Sequence, residues 1–76
     1  MPKIEIDIHG MTVADAKFKL ERLIATLAKD ITEIDVIHGC NQGNALQNMI
    51  RKGLKIKKIK QRILSLNNGI TTLIIK

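Results

Sequence analysis

The chain opens with a strict alternation of apolar and polar residues, which predicts a strand. Isoleucines occupy positions 4, 6 and 8, and charged or polar side chains occupy the positions between them, through His9. In an extended segment the isoleucines share one face, which we expect to be buried, while the other face meets water. Gly10 ends the segment.

Apolar residues at helical spacing come next and predict a helix from Thr12 to about Lys29. Threonine is a residue type that caps helix N-termini, and Asp15 suits the positive end of the helix dipole. Phe18 falls beside the apolar stripe, either as a boundary residue or as part of a partner surface. The stripe itself should consist of Val13, Ala16, Leu20, Leu23, Ile24 and Leu27.

A second strand and a second helix are predicted further along the chain. Residues 34–38 form the strand, and the helix that precedes it makes the two strands parallel, joined by a right-handed crossover. A loop over residues 39–43 leads into a helix over about 44–54. The residues of this helix expected to face inward are Leu46, Met49 and Ile50.

The last part of the chain predicts a hairpin. Residues 55–66 fit a helix in part and a strand in part, but an Asn-Asn-Gly turn at 67–69 favours two antiparallel strands. The last of them covers residues 70–75. The predicted fold is therefore α/β (α+β), a single domain over residues 1–76. It is a two-layer β-α-β-α-β-β sandwich, with a mixed four-stranded sheet and two helices on one face.

Composition narrows the class of protein. One cysteine, Cys40, in 76 residues excludes an internal disulfide and any multi-cysteine metal centre, so a reducing, cytoplasmic location is expected. The first residues lack the apolar core of a secretory signal, and no apolar run is long enough to span a membrane. A monomer is expected, because no long apolar patch is evident.

Charge divides the chain into two halves. Residues 1–35 hold five basic and seven acidic side chains, whereas residues 36–76 hold eight basic side chains and no acidic one. A polyanion such as nucleic acid is one partner that fits this imbalance, and a solubilising surface is the other interpretation. Aromatic base-stacking modules are disfavoured, because the chain has one aromatic residue. The candidate nucleic-acid-binding residues are Arg51, Lys52, Lys55, Lys57, Lys58, Lys60 and Arg62.

The tripeptide Ile-His-Gly occurs twice, at residues 8–10 and 37–39, each time where a predicted parallel strand ends. Ligands of open α/β sheets bind beyond the carboxyl ends of such strands, so His9 and His38 should lie at one edge, together with Asp7. Two imidazoles and a carboxylate can perform acid–base cleavage of a phosphodiester, or hold a divalent metal such as Mg²⁺ or Mn²⁺. Ordinary polar residues beside turns would give the same pattern.

The loop after the second strand is a candidate phosphate site. Main-chain N–H groups at a helix start bind phosphate, and glycines permit its close approach. Cys40 lies in this loop, without the surroundings of a known nucleophile motif. A plain strand-to-helix connection is the alternative interpretation. The candidate phosphate-binding residues are Gly39, Asn41, Gly43 and Asn44.

Together these motifs resemble the Smr domain, the small MutS-related domain. Residues 6–10 read Ile-Asp-Ile-His-Gly, like the family's Leu-Asp-Leu-His-Gly strand. Residues 38–43 read His-Gly-Cys-Asn-Gln-Gly, like its His-Gly-x-Gly-x-Gly loop, and residues 69–74 match its Gly-x-Thr-hydrophobic segment. Two departures stand out: Asn41 replaces the middle glycine of the loop, and the stretch to Leu46 is one residue longer.

The resemblance implies a fold and an activity. Smr domains resemble the RNA-binding C-terminal domain of a bacterial translation initiation factor, and members nick DNA or cleave RNA with little sequence preference. Asp7, His9 and His38 would be the catalytic residues, and the loop over 39–43 the phosphate site. A non-catalytic RNA- or DNA-binding module, associated with ribosomes or structured RNA, is the second hypothesis. A protein-interaction domain that uses the helix face near Phe18 is the third.

Overall fold

The order of elements follows the sequence prediction. The structure, a computed structural model, describes residues 3–39, 45–64 and 69–75. Its elements are β1 (Lys3–Asp7), α1 (Val13–Ala25), β2 (Glu33–Ile37), α2 (Ala45–Asn48), a π-helical turn (Met49–Gly53), β3 (Ile59–Leu64) and β4 (Ile70–Ile75).

The strands form one mixed sheet, and the predicted fold class is confirmed. The strand order is β1-β2-β4-β3. β1 and β2 are parallel, with Asp7 beside Ile37, and β4 is antiparallel to both of its neighbours. The predicted hairpin is therefore present as the β3–β4 pair, although residues 65–68 lie outside the described part of the chain.

The core lies between the sheet and the two helices. The side chains of Ala16, Leu20 and Ile24 on α1 are fully buried, and Met49 and Ile50 of the π-helical turn join them. Burial of one such aliphatic side chain stabilises a fold by about 1.5–3 kcal/mol, so this layer is a main source of stability. The sheet residues that pack against it include Ile34, Val36, Leu73 and Ile75.

The other side of the sheet, which we call the open face, carries no helix among the described residues. Alternate strand positions point to this side, and every one of them is partly or largely exposed. The face therefore presents its side chains to whatever approaches the sheet. Its residues are Lys3, Glu5, Asp7, Glu33, Asp35, Ile37, Gln61, Ile63, Ile70, Thr72 and Ile74.

The first helix differs from its prediction at its C-terminal end. Thr12 caps the N-terminus as expected, since its hydroxyl accepts a hydrogen bond from the Asp15 main-chain N–H at 3.1 Å. The helix ends at Ala25 instead of Lys29, because both the hydroxyl and the main-chain N–H of Thr26 donate to carbonyls of the last turn. These bonds close the helix four residues earlier than the apolar pattern suggests.

Two apolar side chains of the first helix point outward. Val13, predicted to be buried, has 38% of its surface exposed, and Phe18 has 60% exposed. The Arg22 guanidinium lies 5.7 Å from the centre of the Phe18 ring, as in a cation–π pair. Phe18 therefore lies outside the core.

The second predicted helix is an α-helix over Ala45–Asn48 that continues as the π-helical turn to Gly53. A side chain from β3 binds carbonyls at its C-terminal end. The Nε of Arg62 donates to the Ile50 carbonyl at 2.8 Å, and its Nη2 donates to the Leu54 carbonyl. Carbonyls at a helix end need such partners, and an arginine can satisfy two of them at once. Arg62 therefore joins the helix layer to the sheet.

Replacing Arg62 with methionine is expected to lower the free energy of unfolding by about 1–3 kcal/mol, because two buried carbonyls lose their donor. Lys60→Met, an exposed position on the same strand, is the matched control and should change it by less than about 0.5 kcal/mol. Urea denaturation measures both. Equal stabilities of the two variants would contradict the structural role of Arg62.

Candidate functional site

Three distant parts of the chain meet where the parallel strands end. The main-chain N–H of Ile8 donates to the Ile37 carbonyl at 2.9 Å, which extends the β1–β2 pairing. The N–H groups of His38 and Gly39 both donate to the Gly69 carbonyl, at 2.8 and 3.0 Å. The ends of β1 and β2 and the start of β4 are thereby fixed against each other at one edge of the sheet.

Asp7 and His9 form a hydrogen-bonded pair at this edge. The Oδ1 atom of Asp7 accepts from the His9 main-chain N–H at 3.0 Å and lies 2.5 Å from His9 Nδ1. The side chains are 52% and 67% exposed. Because a carboxylate only accepts hydrogen bonds, Nδ1 carries the proton in this contact. The Nε2 lone pair of a neutral His9 ring is then available to take up a proton.

The alternation predicted a strand through His9, but β1 ends at Asp7. The two hydrogen bonds of Asp7 explain this difference. A side chain that binds the main-chain N–H two residues ahead turns the backbone away from the extended strand. The same contact holds the imidazole beside its carboxylate. The local sequence therefore positions this pair without help from distant residues.

The pKa of Asp7 is lowered, first by the hydrogen bond from the His9 ring and then by the one from the His9 main-chain N–H. A carboxyl group with a lower pKa in the folded state stabilises the fold above its ordinary pKa of 3.8. That contribution is lost as the pH falls through the lowered value. The effect is small, because both side chains are exposed to solvent.

Asp7→Asn should therefore make stability less dependent on pH in the acid range, because the variant lacks the small contribution that the Asp7 carboxylate makes near neutral pH and that the parent protein loses on acidification. Urea denaturation at several values between about pH 2 and pH 6 measures this dependence for the parent protein and the variant. Glu5→Gln, two residues earlier on the same face, is the control. An acid dependence that Asp7→Asn leaves unchanged would contradict the role of the pair.

His38 lies in the interior, with 4% of its surface exposed. Its Nδ1 is 2.8 Å from the Gly39 carbonyl and its Nε2 is 2.9 Å from the Thr71 hydroxyl. A carbonyl only accepts, so Nδ1 donates to it, and in the neutral ring Nε2 accepts from the Thr71 hydroxyl. Both ring nitrogens are thus engaged within the protein. The structure brings Asp7 and His9 together but places His38 behind them.

Gly39 connects the buried histidine to the exposed pair. Its φ angle is +77°, a conformation that favours glycine, and a Cβ atom here would lie 3.4 Å from His9 Cβ. The first residue of the candidate phosphate loop thus lies directly against His9. Its remaining predicted residues, Asn41, Gly43 and Asn44, lie outside the described part of the chain, as does Cys40.

The seven candidate nucleic-acid-binding residues differ in their surroundings. Lys58 donates from Nζ to the Ile24 carbonyl at 3.3 Å, at the end of α1, and the guanidinium of Arg62 binds two carbonyls as described above. Arg51 is partly buried. Five of the seven are exposed, namely Lys58 and four further lysines, which are Lys52, Lys55, Lys57 and Lys60.

The described residues offer few metal ligands. They contain no group of three or more His, Cys, Asp or Glu side chains arranged to hold a metal ion.

A pocket of about 380 Å³, lined in part by Leu27, Lys29 and Ile75, lies at the opposite end of the sheet from Asp7 and His9. Asp7 and His9 therefore lie on the protein surface and outside this pocket. No helix in the described ranges is long and apolar enough to cross a membrane.

Sequence reasoning missed Thr71. This residue is fully buried, and its hydroxyl is the partner of His38 Nε2. A signal for it exists in the sequence, because Thr71 shares the inward face of β4 with Leu73 and Ile75. A hydroxyl on an apolar strand face needs a buried partner.

Comparisons with known proteins agree with this fold. A family model described as the Smr domain matches residues 6–69. The crystal structure of the Smr domain of Thermus thermophilus MutS2 superposes with a TM-score of 0.84 over 95% of this chain and 96% of that one. The two sequences are 23% identical, so this similarity establishes a shared fold. No curated protein matches the chain.

Proposed function

Because this chain belongs to the Smr domain family, we propose that it is a nucleic-acid-binding endonuclease that nicks DNA or cleaves RNA with little sequence preference. Smr domains generally bind nucleic acids, and some members have nicking activity. The observation that carries the proposal is the exposed Asp7–His9 pair, with 2.5 Å between Oδ1 and Nδ1. A carboxylate that fixes the tautomer of an imidazole is a recurrent arrangement for proton transfer.

In the proposed reaction His9 acts as the general base. Its Nε2 takes the proton of the attacking group, which is a ribose 2′-hydroxyl in RNA or a water molecule in DNA. The oxygen of that group forms a bond to phosphorus, the bond from phosphorus to the leaving oxygen breaks, and the leaving oxygen is protonated by solvent. Asp7 keeps the proton on Nδ1 and stabilises the imidazolium that forms. His38, with both nitrogens engaged, positions Gly39 beside His9.

Exposed lysines bind the substrate in this proposal. Lys52, Lys55, Lys57 and Lys60 are exposed cations that can contact phosphates, so affinity should fall as salt concentration rises. Asp7 and His9 alone do not make a metal centre, since a single carboxylate and a single imidazole leave most positions of Mg²⁺ or Mn²⁺ to water. The cytoplasmic location and the monomeric state stay predictions.

A non-catalytic binding module is the second candidate function, and one observation favours it. The middle glycine of the family's loop is Asn41 in this chain, and a side chain there reduces the space for a phosphate. Such a module would use the same exposed lysines and leave the strand intact.

Incubation with short end-labelled RNA and DNA, in the presence of Mg²⁺, Mn²⁺ or EDTA, distinguishes the two functions. We expect cleavage by the parent protein and none by His9→Ala, purified identically as a control for contaminating nucleases. A 2′,3′-cyclic phosphate at the new end would identify the 2′-hydroxyl as the attacking group. A shifted band with no cleavage under any condition would contradict the endonuclease and favour the binding module.

A further inference from the structure

We propose that Ile37 and Ile70 form an apolar shelf that contacts a nucleobase beside the scissile phosphate, which makes unpaired nucleic acid the substrate. The inference rests on the proposed function, because it places the nucleotide next to Asp7 and His9. It concerns the open face of the sheet, which the fold leaves without a covering helix among the described residues.

The strand register places the shelf next to the reacting groups. Asp7 pairs with Ile37 across β1 and β2, and Ile37 pairs with Ile70 across β2 and β4. Paired residues of neighbouring strands point to the same face, so the three side chains form one row on the open face. Ile37 and Ile70 are each only partly buried. A row that begins at the Asp7 carboxylate thus continues as partly exposed aliphatic surface.

The charges on the β1 and β2 part of the open face disfavour a second phosphate backbone there. The next rows away from the site carry Glu5, Glu33 and Asp35, against a single lysine, Lys3. That lysine is already paired, with its Nζ 3.2 Å from Asp35 and 4.0 Å from Glu33. Glu5 is exposed on the edge strand. Phosphates laid across these rows would meet carboxylates, which repel them.

A nucleobase is the part of a nucleic acid that suits this surface. Bases are flat and uncharged, and in a single strand they turn away from their phosphates and stack on protein side chains. In a duplex the bases are paired inside two phosphate backbones, and one of these would have to cross the acidic rows. The open face therefore selects for an unpaired nucleotide.

Two probes with the same number of phosphates test this inference. One is a fluorescently labelled oligothymidylate, and the other is a strand of equal length made of abasic units. Fluorescence anisotropy at physiological salt should show tighter binding of the strand that has bases. In the variant Ile37→Thr/Ile70→Thr this preference should fall by roughly four-fold or more for each residue. Each replacement removes two apolar carbons, one of them exchanged for a hydroxyl, and the loss of a single buried carbon corresponds to about four-fold. Threonine keeps the β-branched shape that strands favour.

Ile63→Thr is the matched control. Ile63 lies on the same face, with 43% of its surface exposed, but on β3, three strands away from Asp7 in the sheet order. It should leave the preference for bases unchanged. Circular dichroism and a thermal melt verify that each variant is folded. Equal affinity of the parent for the two probes would contradict the proposed base contact. So would a preference for bases that falls as much in Ile63→Thr as in the double variant.

Glu5→Lys is a variant for which tighter binding is expected. Loss of folding would weaken binding, so it cannot explain that result. Removing a carboxylate and adding a cation should raise affinity for a duplex by about three-fold or more, and raise affinity for the single strand less. A parent protein that binds duplex as tightly as single strand would overturn the inference, whether or not it cleaves. Absence of cleavage with a retained preference for bases would contradict the endonuclease alone. The two proposals therefore fail on different measurements.

Discussion

His9→Ala is expected to lower the cleavage rate by about 10²–10⁴-fold, because the reaction loses its general base. Affinity for the oligonucleotide should stay within about two-fold of the parent value, since the charges on the lysines that hold the strand do not change. The ring is 67% exposed, so its removal leaves no cavity in the core and the free energy of unfolding should hardly move. Single-turnover cleavage and anisotropy measure the two effects separately.

Asp7→Asn is the informative partner of that variant. The asparagine keeps the size of the side chain but no longer fixes the proton on His9 Nδ1, so cleavage should fall by roughly 10²-fold. In the double variant the loss should be no greater than for His9→Ala alone, because the carboxylate acts only through the imidazole. Additive losses would assign Asp7 a role of its own, and unchanged cleavage in His9→Ala would remove the proposed base.

His38→Ala should destabilise the fold by about 2–4 kcal/mol, because it creates a cavity and leaves two buried polar groups without a partner. The groups are the Gly39 carbonyl and the Thr71 hydroxyl, at 2.8 and 2.9 Å from the ring nitrogens. Chemical denaturation measures the loss. A solvent-facing catalytic histidine would instead leave stability nearly unchanged, as expected for His9.

Thr71→Val separates a positioning role of His38 from a direct one. Valine has the shape of threonine and lacks the hydroxyl, so His38 Nε2 loses its partner, at a cost of about 1–3 kcal/mol. If His38 acts by holding Gly39, Thr71→Val should also slow cleavage, although Thr71 is fully buried and reaches no substrate. Thr71→Ser should restore both properties. Full activity in Thr71→Val at a temperature where it is folded would argue for a direct role of His38.

Much of this fold could be predicted from local periodicity. A period of two places Ile34 and Val36 on one face of β2, and these residues are buried as the pattern indicates. The same count puts His38 on that buried face and Asp7 on the exposed face of β1. Periodicity thus explains why His9 is exposed and His38 is buried, although both stand in an Ile-His-Gly tripeptide at the end of a strand.

What periodicity could not supply are contacts made across the fold. The second helix gives way to a π-helical turn near Ile50, where the partner that binds its carbonyl is Arg62, twelve residues later. The charge pattern predicts Arg62 as a ligand for phosphates, and nothing local distinguishes it from Lys60. His38 and Thr71 are 33 residues apart in the chain. They meet because β4 lies beside β2 in the sheet, which no local pattern shows.

The position of β4 inside the sheet has a consequence for the synthesis of the protein. β4 is the final strand in sequence, yet it lies between β2 and β3 and pairs with both. A ribosome-bound chain that has not released residues 70–75 leaves β2 and β3 without their shared neighbour, and leaves His38 without the Thr71 hydroxyl. Such a chain exposes unpaired strand edges, which are liable to aggregate. The domain can thus complete its sheet, and assemble its site, only after translation has passed beyond it.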